Sequence, residues 1–369
     1  MNYSYWELKE WFTNIDFTIV GSGIVGLNCA LTLKRKHPKA KIIILEKGML
    51  PQGASTKNAG FACFGSLSEL IDDLKSHSEE EVFNLVDKRW KGLKLLRQNL
   101  GDQNIDFQQN KGFELCENIS FYEECIAKKD KINKLLKPIF KTDVFSTSDN
   151  VFNFQKIHKN YIVNNFEGQI DTGQMAYELL HKVQQLGVKI INNINVDCFT
   201  EGSFNVNVKT NRLDFYTNKL IVSTNGFSKQ LLNENVKPAR AQILITKPIK
   251  DLQVKGTFHL DKGYYYFRNI DNRILFGGGR NLDFKTEETT VFGQTKTVQN
   301  KLEEILKETI LPNINFEVEQ RWSGIMGVGN QKKAIVKQLS NNVYCGVRLG
   351  GMGVAIGSIV GKELAELVN

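Results

Sequence analysis

The apolar positions of this chain follow two rhythms, which alternate near both ends and separate in the middle. DFTIV (16–20) is a short unbroken apolar run and predicts a buried strand. From 24 to 36 the spacing becomes helical: Ile24, Leu27, Ala30, Leu31 and Leu33 lie on or near one face, and His37-Pro38 ends the helix. KIIILE (41–46) is a second strand, isoleucine-rich as a parallel strand buried on both sides should be. This order is strand–helix–strand.

Residues 68–140 read as mostly helical, with one strand near FQQNKGFELC. GQMAYELLHKVQQLG (173–187) is a helix ending on glycine, and VKIINNINV and KLIVSTNG are strands around a turn-rich hairpin region. From 239 to 279 the pattern is all strand, with a hairpin turning at Asp271-Asn272. Residues 297–309 form another helix. The chain closes with strand NVYCGV, a glycine turn and helix VAIGSIVGKELAELV. Strand–helix units at both ends enclose an antiparallel middle, so one domain is assembled from separated segments.

Composition narrows this picture. The chain has 369 residues, 41% hydrophobic and 24% charged, enough for a sizeable core and more than one domain. Six cysteines (Cys29, Cys63, Cys116, Cys125, Cys198, Cys345) are scattered with no C-x-x-C pair, which argues against a metal site and for a reducing, cytoplasmic setting. The N-terminal MNYSYWELKEWF has acidic residues and no apolar signal core, and no run reaches the ~18 residues of a membrane helix. Net charge is +8, but the lysines are dispersed, so a solvated surface is favoured over a nucleic-acid partner.

VGSGIVG supplies Gly21, Gly23 and Gly26 in G-x-G-x-x-G spacing between the first strand and the helix opened by Ile24 and Val25. The glycines permit the tight turn, the approach of backbone to a pyrophosphate and close helix–strand packing; the helix N-terminus offers free N–H groups to phosphate. Glu46, followed by Lys47, ends the next strand, where a carboxylate accepts ribose hydroxyls and repels a 2′-phosphate. The following stretch, GASTKNAGFACFG, is rich in small residues. A flavin needs backbone N–H groups close to its ring oxygens and N5, and small residues allow that approach. Ser55 and Asn58 are the polar contacts, with Ala59 and Gly60 beyond them.

With these motifs in view, nearly the whole chain resembles the D-amino acid oxidase, glycine oxidase and sarcosine oxidase family of FAD enzymes. GASTKNAG is similar to the family's G-x-S-x-R-N-x-G loop, with Lys57 for arginine. GQIDTGQM (168–175) resembles the segment before its adenine-side helix, and INNINV the strand whose last residue, Val196, meets the adenine. VSTNGFS resembles the turn under the cofactor, which involves Thr224, Asn225 and Gly226. KPARAQILIT is similar to the P-x-R-G-Q strand, with Ala241 for glycine. YYYFRNIDNRILFGGGR and RWSGIMG look closest to the γ-glutamylputrescine oxidase-like branch. The resemblance implies an α/β fold: a discontinuous, Rossmann-like FAD-binding domain (1–75, 165–235, 325–369) and an α+β substrate domain on a mixed, largely antiparallel sheet (76–164, 236–324).

Physical reading then extends to the C-terminal turn. Gly350, Gly351, Met352, Gly353 and Val354 lead into a helix whose N-terminus can face the flavin edge that becomes negative on reduction. The same helix carries Gly353, Gly357 and Gly361 in small-residue packing spacing, and both roles are compatible. The implied chemistry is oxidation of the C–N bond of an amine or amino acid by hydride transfer to flavin N5, with imine hydrolysis; oxygen or a quinone takes the electrons. Alternatives are a 2-hydroxy acid or polyol dehydrogenase, and a non-catalytic or partner-dependent FAD-binding subunit; an enzyme acting on modified RNA bases is more remote.

Several positions depart from the family pattern. Met326 stands where many amino-acid-oxidising members have an arginine for the substrate carboxylate, so Arg348 or Arg280 becomes the candidate. On the hairpin Tyr264, Tyr266 and Arg268 share one face, and Tyr265 and Phe267 the other; Tyr264, then Tyr266, is the best match for the tyrosine that the family places over the flavin. Leu275 falls where relatives place an oxygen-activating lysine. No His or Cys lies in 320–333, which favours non-covalent FAD, although Cys63 remains near the flavin loop.

Overall fold

The computed structural model describes residues 2–368. Five parallel strands form the centre of the first sheet, in the order Val343–Val347, Asp214–Val222, Ile15–Val20, Ile42–Leu45, Lys189–Ile191. Ile335–Gln338 extends one edge antiparallel, and Val196–Glu201 with Val206–Thr210 extends Asp214–Val222 antiparallel. All four residues of Ile42–Leu45 are buried, as a strand covered on both faces requires. One face packs under Ile24–Lys36, Thr172–Gln185, the long helix Glu79–Leu100 and the C-terminal helix Gly353–Leu367. The other face has its own core around Val20, Leu45, Val206, Val222 and Cys345. The register aligns Val20 with Leu45 and Val222, and Leu45 with Ile191, so four strands end at one level, while Val343–Val347 passes it by two residues. In a doubly wound sheet that level is where ligands bind.

The second sheet runs Val318–Val328, Lys237–Thr246, Arg273–Gly278, Tyr265–Ile270, Thr257–Leu260, Gly112–Glu114, Asn160–Asn164, Phe145–Asp149. Only the pair Thr257–Leu260 with Gly112–Glu114 is parallel. Asp271 and Asn272 both have positive φ, 49° and 56°, the geometry of a type I′ hairpin turn. A two-strand ribbon, Phe61–Ala62 with Gly168–Gln169, lies at the junction of the sheets. Together these are the α/β fold with a mixed, largely antiparallel second sheet that the sequence predicts.

Some elements differ from the sequence reading. The stretch 239–279 is interrupted at 247–256 and again by the turn Asp261–Gly263. The helix over 297–309 is regular only through Ile305; Leu306–Ile310 widens into a π-turn. Tyr5–Trp11 is a helix for which the apolar pattern gave no signal; Ser4 and Glu7 form its capping box, and none of its residues is buried.

Candidate functional site

The site grows from the aligned strand ends. After Val20 the chain turns at Gly21 (φ 103°), where a side chain would crowd the Ser223 carbonyl. A Cβ at Gly23 would lie 2.8 Å from Ser55 Oγ; one at Gly26 would collide with the Gly21 carbonyl and sit 2.7 Å from Ser223 Oγ. Gly23 caps Ile24–Lys36 with no side-chain hydrogen bond, whereas Ser4, Ser66, Ser78, Asn118 and Asp171 cap their own helices. The Ile24 N–H instead donates to Ser55 Oγ at 3.0 Å. Glu46 is buried: its Oε2 accepts from the Ser22 N–H (3.1 Å) and Oγ (2.6 Å), and its Oε1 from the Gly48 N–H (3.0 Å). That carboxylate therefore locks the first turn to the chain leaving the second strand, while Lys47 faces solvent.

The loop 53–60 folds as the short turn Ala54–Thr56, held from within by Asn58. Asn58 Nδ2 donates to the Ala54 and Ser55 carbonyls, and its Oδ1 accepts from the Gly60 N–H at 2.8 Å and Thr172 Oγ1 at 3.0 Å. The second sheet presses on this loop. Trp322 Nε1 donates to the Lys57 carbonyl at 3.1 Å, and a Cβ on Gly324 would lie 3.2 Å from Lys57 Cβ. Ala59, Ile243 and Leu275 form a small apolar cluster, walled by Phe61, Ile245, Tyr266, Ile270 and Trp322. The small residues of the loop thus serve a junction, between strand ends on one side and a sheet face on the other.

The C-terminal turn completes the surround. Arg348, Gly350 and Gly351 have φ of 63°, 60° and 84°. Asn225, itself at φ 46°, accepts the Arg348 and Leu349 N–H groups on Oδ1, at 3.1 and 3.2 Å. Gly226 lets this turn meet Met326, whose carbonyl lies 2.5 Å from where its Cβ would be. Met352 caps Gly353–Leu367, again without a side-chain bond, and buried Val354 follows. Gly357 and Gly361 pack on Ile24 and on the Val25–Cys29 turn, whereas a Cβ on Gly353 would meet only Leu349 Cδ1, at 3.5 Å. So two glycine-fed helices, neither capped by the side chain of its own N-cap residue, flank one loop. Val196 opens its strand with its carbonyl held by Gln230, and Thr224 Oγ1 is buried with no partner.

The substrate-side candidates separate. Tyr264 sits on the turn before its strand, 36% exposed, with its ring edge-on to Phe284. Tyr266 lies on the strand with its ring edge-on to Phe61, and burial pushes its phenol up to about 12. Arg280 is half-buried over the Phe284 ring. Arg348 donates through Nε and Nη2 to the Lys333 carbonyl and through Nη1 to the Asn235 carbonyl, so its fork is committed to backbone. Cys63 is buried beside Met352, its thiol raised by burial and by Glu167.

Arg268 shares the face of Tyr266, as the alternation along the hairpin strand predicts. The buried pair His259–Glu167 (Nε2···Oε1, 2.6 Å) joins residues too far apart for any local pattern. Burial opposes charge on His259, but Glu167, Glu69 and Glu114 outweigh it and push the imidazole up to about 9. Glu114 is itself raised by burial, against hydrogen bonds from Ser66 and Ser68. These groups line a cavity of about 10 Å³, room for one water. Among the described residues no cluster of His, Cys, Asp and Glu is placed to hold a metal, and no helix is long and apolar enough to cross a membrane.

Comparison with known proteins gives this geometry a context. The profile of the family described as DAO, FAD dependent oxidoreductase, matches residues 16–367. A curated relative, "Probable oxidoreductase OrdL" of Haemophilus influenzae, is 21% identical over 96% of this chain and 82% of its own length. Glycine oxidase from Bacillus cereus superposes with a TM-score of 0.74 at 16% identity, covering 96% of this chain and 94% of that one. L-proline dehydrogenase from P. horikoshii gives 0.73 at 16% identity, covering 96% and 93%. Iminodiacetate oxidase from Chelativorans sp. BNC1 gives 0.74 at 16% identity, covering 95% of each chain.

Proposed function

The chain belongs to the DAO family of FAD-dependent oxidoreductases, and from that premise we propose that it oxidises the C–N bond of an amine or amino acid. The residues fit the cofactor. The glycine turn 21–26 has no room for side chains at the approach a pyrophosphate needs. Two helices open toward the loop with no cap from their own N-cap side chains, and Thr224 keeps a buried hydroxyl unpartnered among the described residues. When bound, FAD supplies the two-electron acceptor for a hydride leaving the substrate carbon.

On this reading Gly21, Gly23, Ile24, Val25 and Gly26 hold the phosphates, and Glu46 the ribose. Ser55, Asn58, Ala59 and Gly60 position backbone N–H groups along the ring system. The N–H groups of Gly351 to Val354 would serve the ring edge where negative charge accumulates on reduction, and the dipole of the C-terminal helix would then favour that reduction. Ala59, Ile243, Leu275 and Trp322 make a dry wall that keeps water from the reacting carbon and favours an uncharged amine. Tyr266 bounds that wall and orients the substrate. Loss of hydride and one N–H proton leaves an imine, which water hydrolyses to a carbonyl compound. The names of the structural relatives, a glycine oxidase, an iminodiacetate oxidase and an L-proline dehydrogenase among them, point the same way.

The observation that carries the proposal is the apolar cluster set against the loop 53–60, a surface that excludes water and so suits hydride loss from a neutral amine. The test is anaerobic mixing of the FAD-loaded protein with primary amines, N-alkyl amines, amino acids of both hands and 2-hydroxy acids, watching the flavin band bleach. Bleaching by amines or amino acids, with hydroxy acids silent, is expected. Bleaching by hydroxy acids alone overturns the assignment. Admitting air afterwards reads whether oxygen reoxidises the flavin.

A further inference from the structure

We propose that Arg268 binds the carboxylate of the substrate, so that this enzyme takes an amino acid whose anion is held from the strand Tyr265–Ile270; this rests on the C–N oxidation reading. Four arginines are buried among the described residues: Arg89, Arg240, Arg268 and Arg348. Arg240 forms a two-pronged pair with Glu287 at 2.7 and 3.1 Å. Arg348 donates to the Lys333 and Asn235 carbonyls, and Arg89 Nη1 to the Phe64 carbonyl at 2.7 Å. The side chain of Arg268, only 3% exposed, makes no hydrogen bond or ion pair among the described residues, and its Nε is fully enclosed without a partner. A guanidinium removed from water and left unpaired is costly, and such groups are ordinarily matched by an anion.

Its position says which anion. In the hairpin Arg268 stands opposite Leu275, a member of the apolar cluster, two residues along from Tyr266 on the same face. Its Nη2 lies 3.0 Å from where a side chain at Gly60 would begin, so glycine there leaves the fork room beside the loop. Burial lowers its affinity for the proton to about 10, and Asp171, Asp106 and Asp271 offset this only through space. A planar fork held away from water recognises a carboxylate by two parallel hydrogen bonds. The rival cations are engaged elsewhere: Arg348 holds backbone, Arg280 lies over Phe284, and Lys57 lies over Phe292. At the position where relatives carry a carboxylate-binding arginine, this chain has Met326.

The experiment titrates the FAD-loaded protein with benzoate and with its neutral counterpart benzamide, following the perturbation of the flavin spectrum, in wild type, Arg268→Met, Arg268→Lys and Arg280→Met. Benzoate should bind the wild type at least ~30-fold more tightly than benzamide, the scale for a buried charge pair. Arg268→Met should abolish that preference and Arg268→Lys should keep part of it. Arg280→Met should leave it unchanged. Thermal stability of Arg268→Met should hold or rise, because a buried unpaired charge has been removed. Equal binding of benzoate and benzamide by the wild type overturns the proposal even if no variant folds. So does loss of benzoate binding in Arg280→Met alone, or loss of FAD rather than of benzoate binding in Arg268→Met. A separate arm compares anaerobic bleaching by an N-alkyl amino acid and by the amine lacking its carboxylate. Bleaching by neither counts against C–N oxidation itself; equal bleaching by both counts against Arg268 alone.

Discussion

A single methyl group is enough to test the nucleotide turn. Gly26→Ala would place its Cβ against the Gly21 carbonyl and Ser223 Oγ. We expect a loss of about 1–3 kcal/mol of stability from the overpacking, and a protein purified with most of its FAD missing, read as the flavin-to-protein absorbance ratio. The buried pair His259–Glu167 sets a pH dependence at the same scale. In the fold the imidazole keeps its proton to about 9, against an ordinary value of 6.5. Its contribution is therefore fully present below pH 6.5 and is lost as the pH rises through 9. The raised Glu114 carboxyl acts in the same direction. Denaturant unfolding across that window should show falling stability in the wild type. A flatter profile is expected in His259→Gln, which also loses several kcal/mol by leaving Glu167 buried and unpaired. Unchanged slopes would count against the pair. Neither the His259–Glu167 pair nor the vacant partnership of Arg268 is visible in local sequence, because the first depends on which group lies within hydrogen-bond reach in space and the second on none doing so.

Among the elements, the central contact is the C-terminal helix Gly353–Leu367 against Ile24–Lys36. A Cβ on Gly361 would lie 2.6 Å from the Val25 carbonyl and 2.7 Å from Asn28 Cβ. Gly361→Ala should cost about 1–3 kcal/mol and weaken FAD binding, because it pushes on the first turn of the nucleotide helix. Equilibrium dialysis of FAD against the variant reads the second effect, and unaltered affinity would separate the packing from the site. The extents of these elements were largely legible: Ile24–Lys36 coincides with its apolar stripe, and the hairpin turns at Asp271-Asn272. Tyr5–Trp11 was not legible, since a helix with no buried residue carries no apolar stripe, and its capping box alone marks it. Tyr264 was read as a strand residue by alternation, but the positive φ of Asp261, Lys262 and Gly263 turns the chain before the strand begins at Tyr265.

For the whole molecule, FAD joins segments that meet only in the fold, so its loss should lower the unfolding temperature and its addition restore it. The cofactor should also leave with the supernatant on acid precipitation. Cys63, the one cysteine near the loop, is buried with its thiol raised, and a covalent link needs an accessible thiolate. Flavin remaining with the pellet would contradict this. By itself the sequence determined the units: glycine spacing after an apolar strand, a carboxylate at the next strand end, small residues in the loop, and the order of strands and helices. These are local matters of backbone freedom and side-chain periodicity, which neighbouring residues settle. Only the tertiary structure decided that two helix ends meet one loop, that the second sheet presses Trp322 and Gly324 onto it, and that the Arg348 side chain is occupied while that of Arg268 is not. Those outcomes depend on which groups remain unpaired once every other one has found its partner, and that is a property of packing across long stretches of chain.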